Sequence, residues 1–291
     1  MRRTLIGWLA LLAVGACGEP GGGSPASGGS AGTSGPGADG STGGAGGGTA
    51  ERVVWVGAHP DDELYAAPWL GWLCVEKNAS CKLLVMTRGE AGKCKLGGGC
   101  VPDLPTVRDK ELEASAKLFD AELVHWDLGD GAGAHSEDVV ANWSSKRGSV
   151  DALVDAIAAQ ISDADRVITF DPRHGSSCHA DHRATGALVI AATERLGLPR
   201  AKVSLVEVAL AQEPAVPQDS AVWSFDALQL LPSTDKPAWS YLIGVLQAHT
   251  SQYTPAEVAA VDALPDDKKR MLFLDLDDAL VDNPHYQELC Q

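Results

Sequence analysis

From residue 52 onward the apolar positions alternate between two textures. Short strand-like runs rich in branched residues occur at 52–58 (RVVWVGA), 82–87 (KLLVMT), 122–128 (ELVHWDL), 166–170 (RVITF) and 202–210 (KVSLVEVAL). Runs this short and apolar suit strands covered on both faces. Between them lie helical stretches: roughly Asp62 to Glu76, then 105–119 with Leu112, Ala116 and Phe119 in register, then 150–161 (VDALVDAIAAQI), then about 181–196. Strand alternating with helix predicts βαβ units, hence an α/β fold with a mostly parallel sheet and helices on both faces. After residue 210 an Ala/Pro-rich stretch predicts a less regular C-terminal region, and no internal repeat is present.

The chain before residue 51 has a different texture. Met1-Arg2-Arg3, the apolar run LIGWLALLAV and the small residues up to Cys17 match a secretory signal, and the run is too short for a stable membrane span. Val14-Gly15-Ala16-Cys17 resembles a bacterial lipobox, in which Cys17 is lipidated and heads the mature chain; a simple cleaved signal with an incidental cysteine is the alternative. Residues 18–50 are almost entirely Gly, Ser, Ala, Thr and Pro, the composition of a flexible tether. The expected organisation is therefore a signal segment at 1–17, a tether at 18–50 and one domain at 51–291, located in the cell envelope. Gly18 in place of an aspartate tilts the expected anchor toward the outer membrane.

Charge narrows the partners. The chain carries 23 basic and 39 acidic residues, a net −16. Such a surface repels nucleic acid and anionic lipid heads, so neither is expected to bind the body. Besides Cys17 there are six cysteines, Cys74, Cys81, Cys94, Cys100, Cys178 and Cys290, in a chain that leaves the reducing cytosol. Disulfides are then expected rather than a thiolate metal site. Short separations favour Cys74 with Cys81 and Cys94 with Cys100, which leaves Cys178 for Cys290.

In an open parallel sheet the ligand site lies beyond the carboxyl ends of the strands. Three polar clusters stand there: HPDDE after the first strand, TRGEAG after the second, and DPRHGSSCHADH after the strand at 166–170. A catalytic divalent metal takes three imidazole or carboxylate ligands and keeps an open position. His59, Asp62 and His182 meet that requirement, leaving Asp61 as a free carboxylate to act as general base. Capping of the following helix is the plainer role for this acid pair. His179 and His182, three residues apart at a helix start, divide into one metal ligand and one group for the substrate. His174 is a weaker candidate to orient a ligand.

AHPDDE at 58–63, TRGEAG at 87–92 and HADHRATG at 179–186 resemble, in order and spacing, the three signature blocks of the PIG-L/LmbE-like deacetylases. AHTSQY at 248–253 resembles a weaker late block, Ala180 stands where proline is common, and the cysteine-bearing insert at 93–103 is less typical. The resemblance implies a Rossmann-like fold and a single metal, usually Zn²⁺ with Fe²⁺ as another possibility. It implies His59, Asp62 and His182 as ligands, Asp61 as base, and His179 as general acid or oxyanion stabiliser. Arg88, Glu90 and His249 fall at positions near substrate, although a local ion pair would equally explain the first two and a supporting role the third. The implied reaction is removal of an N-acetyl group from an N-acetylglucosamine-type substrate, with Asp61 expected to activate water and His179 expected to protonate the departing amine. Cleavage of another N-acyl amino-sugar conjugate, or carbohydrate binding without turnover, are the competing expectations. The tryptophans at 55, 69, 72, 126 and 143 are expected in the core rather than on a sugar-stacking surface.

Overall fold

The computed structural model describes residues 50–173, 175–206 and 222–276. The signal segment, Cys17, the tether up to residue 49, His174 and Cys290 lie outside these residues.

The five apolar runs form five parallel strands: β1 (Arg52–Gly57), β2 (Ser80–Val85), β3 (Glu122–His125), β4 (Arg166–Phe170) and β5 (Val203–Val206). Beyond β5 the sheet continues with β6 (Val222–Asp226) and β7 (Arg270–Asp275), giving the order β3-β2-β1-β4-β5-β7-β6. The pairs β1–β2, β1–β4, β2–β3 and β4–β5 are parallel, and β7 runs antiparallel to both β5 and β6. The mostly parallel sheet is thus as expected. The C-terminal region is more regular than its composition suggested, because β7 completes the edge that β5 would leave unpaired.

Side chains of β1 alternate between two buried faces. Val54 and Val56 enter a cluster with Leu84, Val139, Trp143, Leu153, Ile157, Ile161 and Leu188. This is the face covered by α2 (Ser136–Arg147), α3 (Val150–Ile161) and α4 (Ala180–Leu196), which pack on one another. Opposite them, α1 (Leu104–Leu118) packs against α5 (Trp239–Ala248), and α6 (Pro255–Asp262) follows. Helix α2 carries only a short apolar stripe, Val139 and Trp143, which is why the sequence pattern did not announce it. The stretch from Asp62 to Glu76 is helical but not one helix: a 3₁₀ turn at Asp62–Tyr65, an α turn at Ala67–Leu70 and a π segment at Gly71–Glu76 follow one another. Pro68, which has no N–H to bond back to Leu64, sits where the first gives way to the second.

All these elements belong to one compact unit, Ala50–Gln291. Trp55 and Trp143 are fully buried and Trp69 nearly so, and Trp126 lies under the Arg147 guanidinium, 4.2 Å from its ring centre. Two of the expected disulfides are present, Cys74–Cys81 and Cys94–Cys100. Cys178 is also disulfide-bonded, but its expected partner Cys290 is not among the described residues. No helix among the described residues is long and apolar enough to cross a membrane.

Candidate active site

The strand order reverses between β1 and β4, neighbours in the sheet whose connections leave in opposite directions, and this is where α/β sheets open a crevice. The loop after β1 supplies His59, Asp61 and Asp62. The loop after β4 leads through a short turn, Gly175–Cys178, into α4, with His179 as its N-cap and His182 in its first turn. Helix α4 can lie this close to β4 because residue 186 is glycine: a Cβ on Gly186 would collide with the Phe170 carbonyl oxygen.

Three donors converge. His59 Nδ1 lies 3.4 Å from Asp62 Oδ2, Asp62 Oδ1 lies 3.1 Å from His182 Nε2, and His182 Nε2 lies 3.3 Å from His59 Nδ1. The separation of the two imidazole nitrogens matches the tetrahedral edge of about 3.3–3.4 Å that zinc–ligand bonds of about 2.0–2.1 Å imply, while each Asp62 oxygen faces a different ring.

What lies behind the two rings decides which nitrogen faces inward. His182 Nδ1 is 2.8 Å from the Gly175 carbonyl oxygen and donates its N–H there, leaving the Nε2 lone pair for the site. Its ring stacks on Phe170, centroids 4.1 Å apart and planes 2° from parallel. His59 Nε2 faces two carboxylates, Asp130 Oδ1 and Asp181 Oδ2, each at 3.1 Å. Its N–H belongs to them, and Nδ1 carries the lone pair. Asp130 Oδ2 is fixed by the Ala91 N–H and Asp181 Oδ2 by the Gly131 N–H. Two further sets of donors lie close enough to form a cation group, His59 with His179 and His182, and His59 with Asp130 and Asp181. We read the two acids as orienting groups, because they occupy the nitrogen opposite the cluster.

The fields in the site follow from these contacts. Burial alone would lower the pKa of His59, but Asp62, Asp130 and Asp181 together raise it well above the usual imidazole value. Burial would raise Asp62, but His182 and His59 hold it well below the carboxylate range. Asp62 also accepts the Ala58 and His59 backbone N–H groups on Oδ2, each at 2.8 Å, which ties the carboxylate to the end of β1.

Asp61 points elsewhere. Its backbone is left-handed, φ 101° and ψ −14°, so the adjacent acids diverge. Its Oδ1 accepts from Arg108 Nη2 at 2.7 Å and its Oδ2 from the Tyr253 hydroxyl at 3.2 Å. Burial raises its pKa, Arg108 opposes this, and the neighbouring Asp62 carboxylate adds to the rise. Arg108, buried in the first turn of α1, also donates to the Pro60 and Gly89 carbonyl oxygens and so binds the first polar loop to the second. Asp61 makes no side-chain cap bond, so the capping role proposed as its plainer alternative is absent.

His179 accepts the Asp181 N–H on Nδ1 at 3.3 Å, and its ring meets that of His59 edge to face at 4.9 Å. Burial, then the His59 and His182 charges, push its pKa down to about 4. A neutral ring that accepts on Nδ1 carries its proton on Nε2.

The expected substrate residues fare differently. Arg88 is paired with Asp109 in α1, not with Glu90, which is exposed. His249 is fully buried and does not face the crevice. Its Nε2 lies 2.6 Å from Glu63 Oε1, so the late block supports the first loop from behind. Asp130, Arg108, Glu63 and Tyr253 were not singled out from the sequence. The linear signals were the last acid of HPDDE, the turn Gly129-Asp130-Gly131, an arginine inside an otherwise ordinary helix, and the tyrosine that closes AHTSQY.

A mostly parallel α/β sheet with a His/Asp cluster at its switch point is the class of protein that fold and site define. Residues 54–193 match the family model described as PIG-L: GlcNAc-PI de-N-acetylase. A curated relative, "Probable N-acetyl-alpha-D-glucosaminyl L-malate deacetylase 2" of Bacillus cereus, is 29% identical over 149 residues. That alignment spans 50% of this chain and 61% of the relative. Among solved structures, the N,N'-diacetylchitobiose deacetylase from Pyrococcus horikoshii superposes with a TM-score of 0.51 at 18% identity, covering 73% of this chain and 74% of its own. GalB, the 4-carboxy-2-hydroxymuconate hydratase from Pseudomonas putida KT2440, superposes with a TM-score of 0.53 at 13% identity, covering 80% of this chain and 99% of its own. The fold is shared by both, so the choice of reaction rests on the site.

Proposed function

We propose that this protein hydrolyses the N-acyl amide, foremost the N-acetyl amide, of an amino-sugar substrate, with a divalent metal, foremost Zn²⁺, held by His59, Asp62 and His182. The observation that carries this reading is the approach of His59 Nδ1 and His182 Nε2 to 3.3 Å, with one Asp62 oxygen 3.4 Å from the first and the other 3.1 Å from the second, beside the separately held carboxylate of Asp61. The matched family and the deacetylase name of the Bacillus cereus relative support the substrate class.

A metal held there supplies Lewis-acid polarisation of the acyl carbonyl and makes water more acidic. The protein groups supply the rest. Asp61, its pKa raised by burial, takes a proton from water as the oxygen attacks the carbonyl carbon. The carbonyl oxygen gains negative charge, and His179 Nε2–H stabilises it as a neutral donor. Asp61 then returns the proton to the nitrogen as the carbon–nitrogen bond breaks, releasing a carboxylic acid and a free amine. The resemblance left His179 as acid or oxyanion donor, and the acceptor role of Nδ1, which leaves the proton on Nε2, favours the donor.

Secretion through the 1–17 segment and lipidation at Cys17 would hold the enzyme in the cell envelope, where the tether at 18–50 gives it reach. The test is acid release from a panel of N-acetylglucosamine compounds by the purified chain, before and after metal removal and zinc addition. Metal-restored acetate release is expected. A chain that binds one equivalent of metal and releases no acid from any compound would overturn the reading.

A further inference from the structure

Asp61 holds an uncommon backbone conformation for a residue with a side chain. Within the HPDDE turn it is Glu63 that holds the Asp61 backbone, and Glu63 is itself held by a residue far away in sequence. Glu63, fully buried, accepts the Asp61 backbone N–H on Oε2 at 3.1 Å. Its other oxygen, Oε1, lies 2.6 Å from Nε2 of His249, which is equally buried and 186 residues further along the chain.

His249 is fixed in turn. It ends α5, and its carbonyl oxygen accepts the N–H groups of Gln252 and Tyr253 at 2.9 and 3.0 Å. Glu111 on α1 anchors the same turn: Oε1 accepts the Thr250 hydroxyl at 2.9 Å and the Ser251 N–H at 2.7 Å, and Oε2 accepts the Ser251 hydroxyl at 2.6 Å. The turn delivers Tyr253 to the Asp61 carboxylate. The segment 249–253 thus grips Asp61 twice, at its backbone through Glu63 and at its side chain through Tyr253.

We infer that Glu63 and His249 are positioning residues, a buried clamp that holds Asp61 in its left-handed turn and so keeps its carboxylate apart from Asp62. Were φ of residue 61 to relax toward the helical region, Cβ would swing and the two acids would no longer diverge. The clamp would then govern the rate of the chemical step without touching substrate or metal. The kinetic part of this inference rests on the hydrolase reading; the conformational part does not.

The test uses the full chain with Glu63→Ala, Glu63→Gln and His249→Gln. The Glu63→Gln side chain keeps a carbonyl oxygen for the Asp61 N–H and offers an amide to His249, so it is the conservative rescue. We expect Glu63→Ala to lower kcat about 10- to 100-fold, the order that misplacing a reacting group by about 1 Å costs. KM and bound metal should be unchanged, and Glu63→Gln should recover most of the loss. Backbone hydrogen exchange over residues 58–64 should quicken in Glu63→Ala and His249→Gln and stay slow in Glu63→Gln. Loss of active protein with unchanged kcat per metal-loaded site, or exchange as slow in Glu63→Ala as in the parent, would overturn the clamp. If the parent chain releases no acid, the hydrolase reading fails while the exchange comparison still decides the clamp.

Discussion

Asp181 Oδ2 lies 3.1 Å from His59 Nε2, on the far side of the imidazole from Asp62. An acid embedded in HADH, beside the histidines that draw attention first, thereby sets which nitrogen of a histidine 122 residues away enters the site. Asp130 shares the task. Removing the charge of either partner should loosen the ring and weaken metal binding without removing a ligand. Asp181→Asn and Asp130→Asn should each lower zinc affinity about 10- to 100-fold, measured by competition with a chromophoric chelator. Affinity equal to that of the parent in both variants would deny them this role.

Asp61→Ala should leave metal content at one equivalent and remove most turnover. A positioned base contributes about 10²- to 10⁴-fold, so kcat should fall by that order while metal analysis stays flat. His182→Ala, by contrast, should lose the metal itself. Full activity in Asp61→Ala would require another base.

His179 separates two mechanisms. As a neutral hydrogen-bond donor it can be replaced in part by the amide of glutamine, whereas a proton donor cannot. His179→Ala should lose about 10²- to 10³-fold in kcat, and His179→Gln should recover a substantial part. Equal losses in the two variants would restore the general-acid role.

The Glu63–His249 pair makes stability depend on pH in a defined window. Burial would lower His249, but Glu63 raises its pKa above 6.5, so its contribution is complete below 6.5 and is lost as pH rises through the raised value. Burial would raise Glu63, but His249 lowers its pKa below 4.5, so its contribution is complete above 4.5 and is lost as pH falls through the lowered value. The stability difference between the parent and His249→Gln, from urea unfolding of metal-free protein, should therefore peak between these two ordinary values and shrink on both sides. A difference that does not vary with pH would show that the pair is not ionised in the folded state.

The amino-acid sequence by itself determined the parallel core of the sheet, because β1, β2, β4 and β5 are short branched apolar runs whose period and length admit little else. It also picked out the proposed donors: His59, Asp62 and His182 stand next to strand ends, where local chemistry and fold class both point to one edge. The two short-range disulfides were legible for the same reason, since a separation of six or seven residues leaves few partners within reach. Tertiary structure alone decided what each donor leans on. Asp130 and Asp181 behind His59, Arg108 and Tyr253 on Asp61, and Glu63 against His249 are contacts between residues 47 to 192 positions apart or between groups whose direction depends on one backbone angle. Linear patterning records period and composition, and these contacts leave no trace in either. The antiparallel edge formed by β6 and β7 was hidden likewise, because its pairing is set by the open side of β5 rather than by any local repeat.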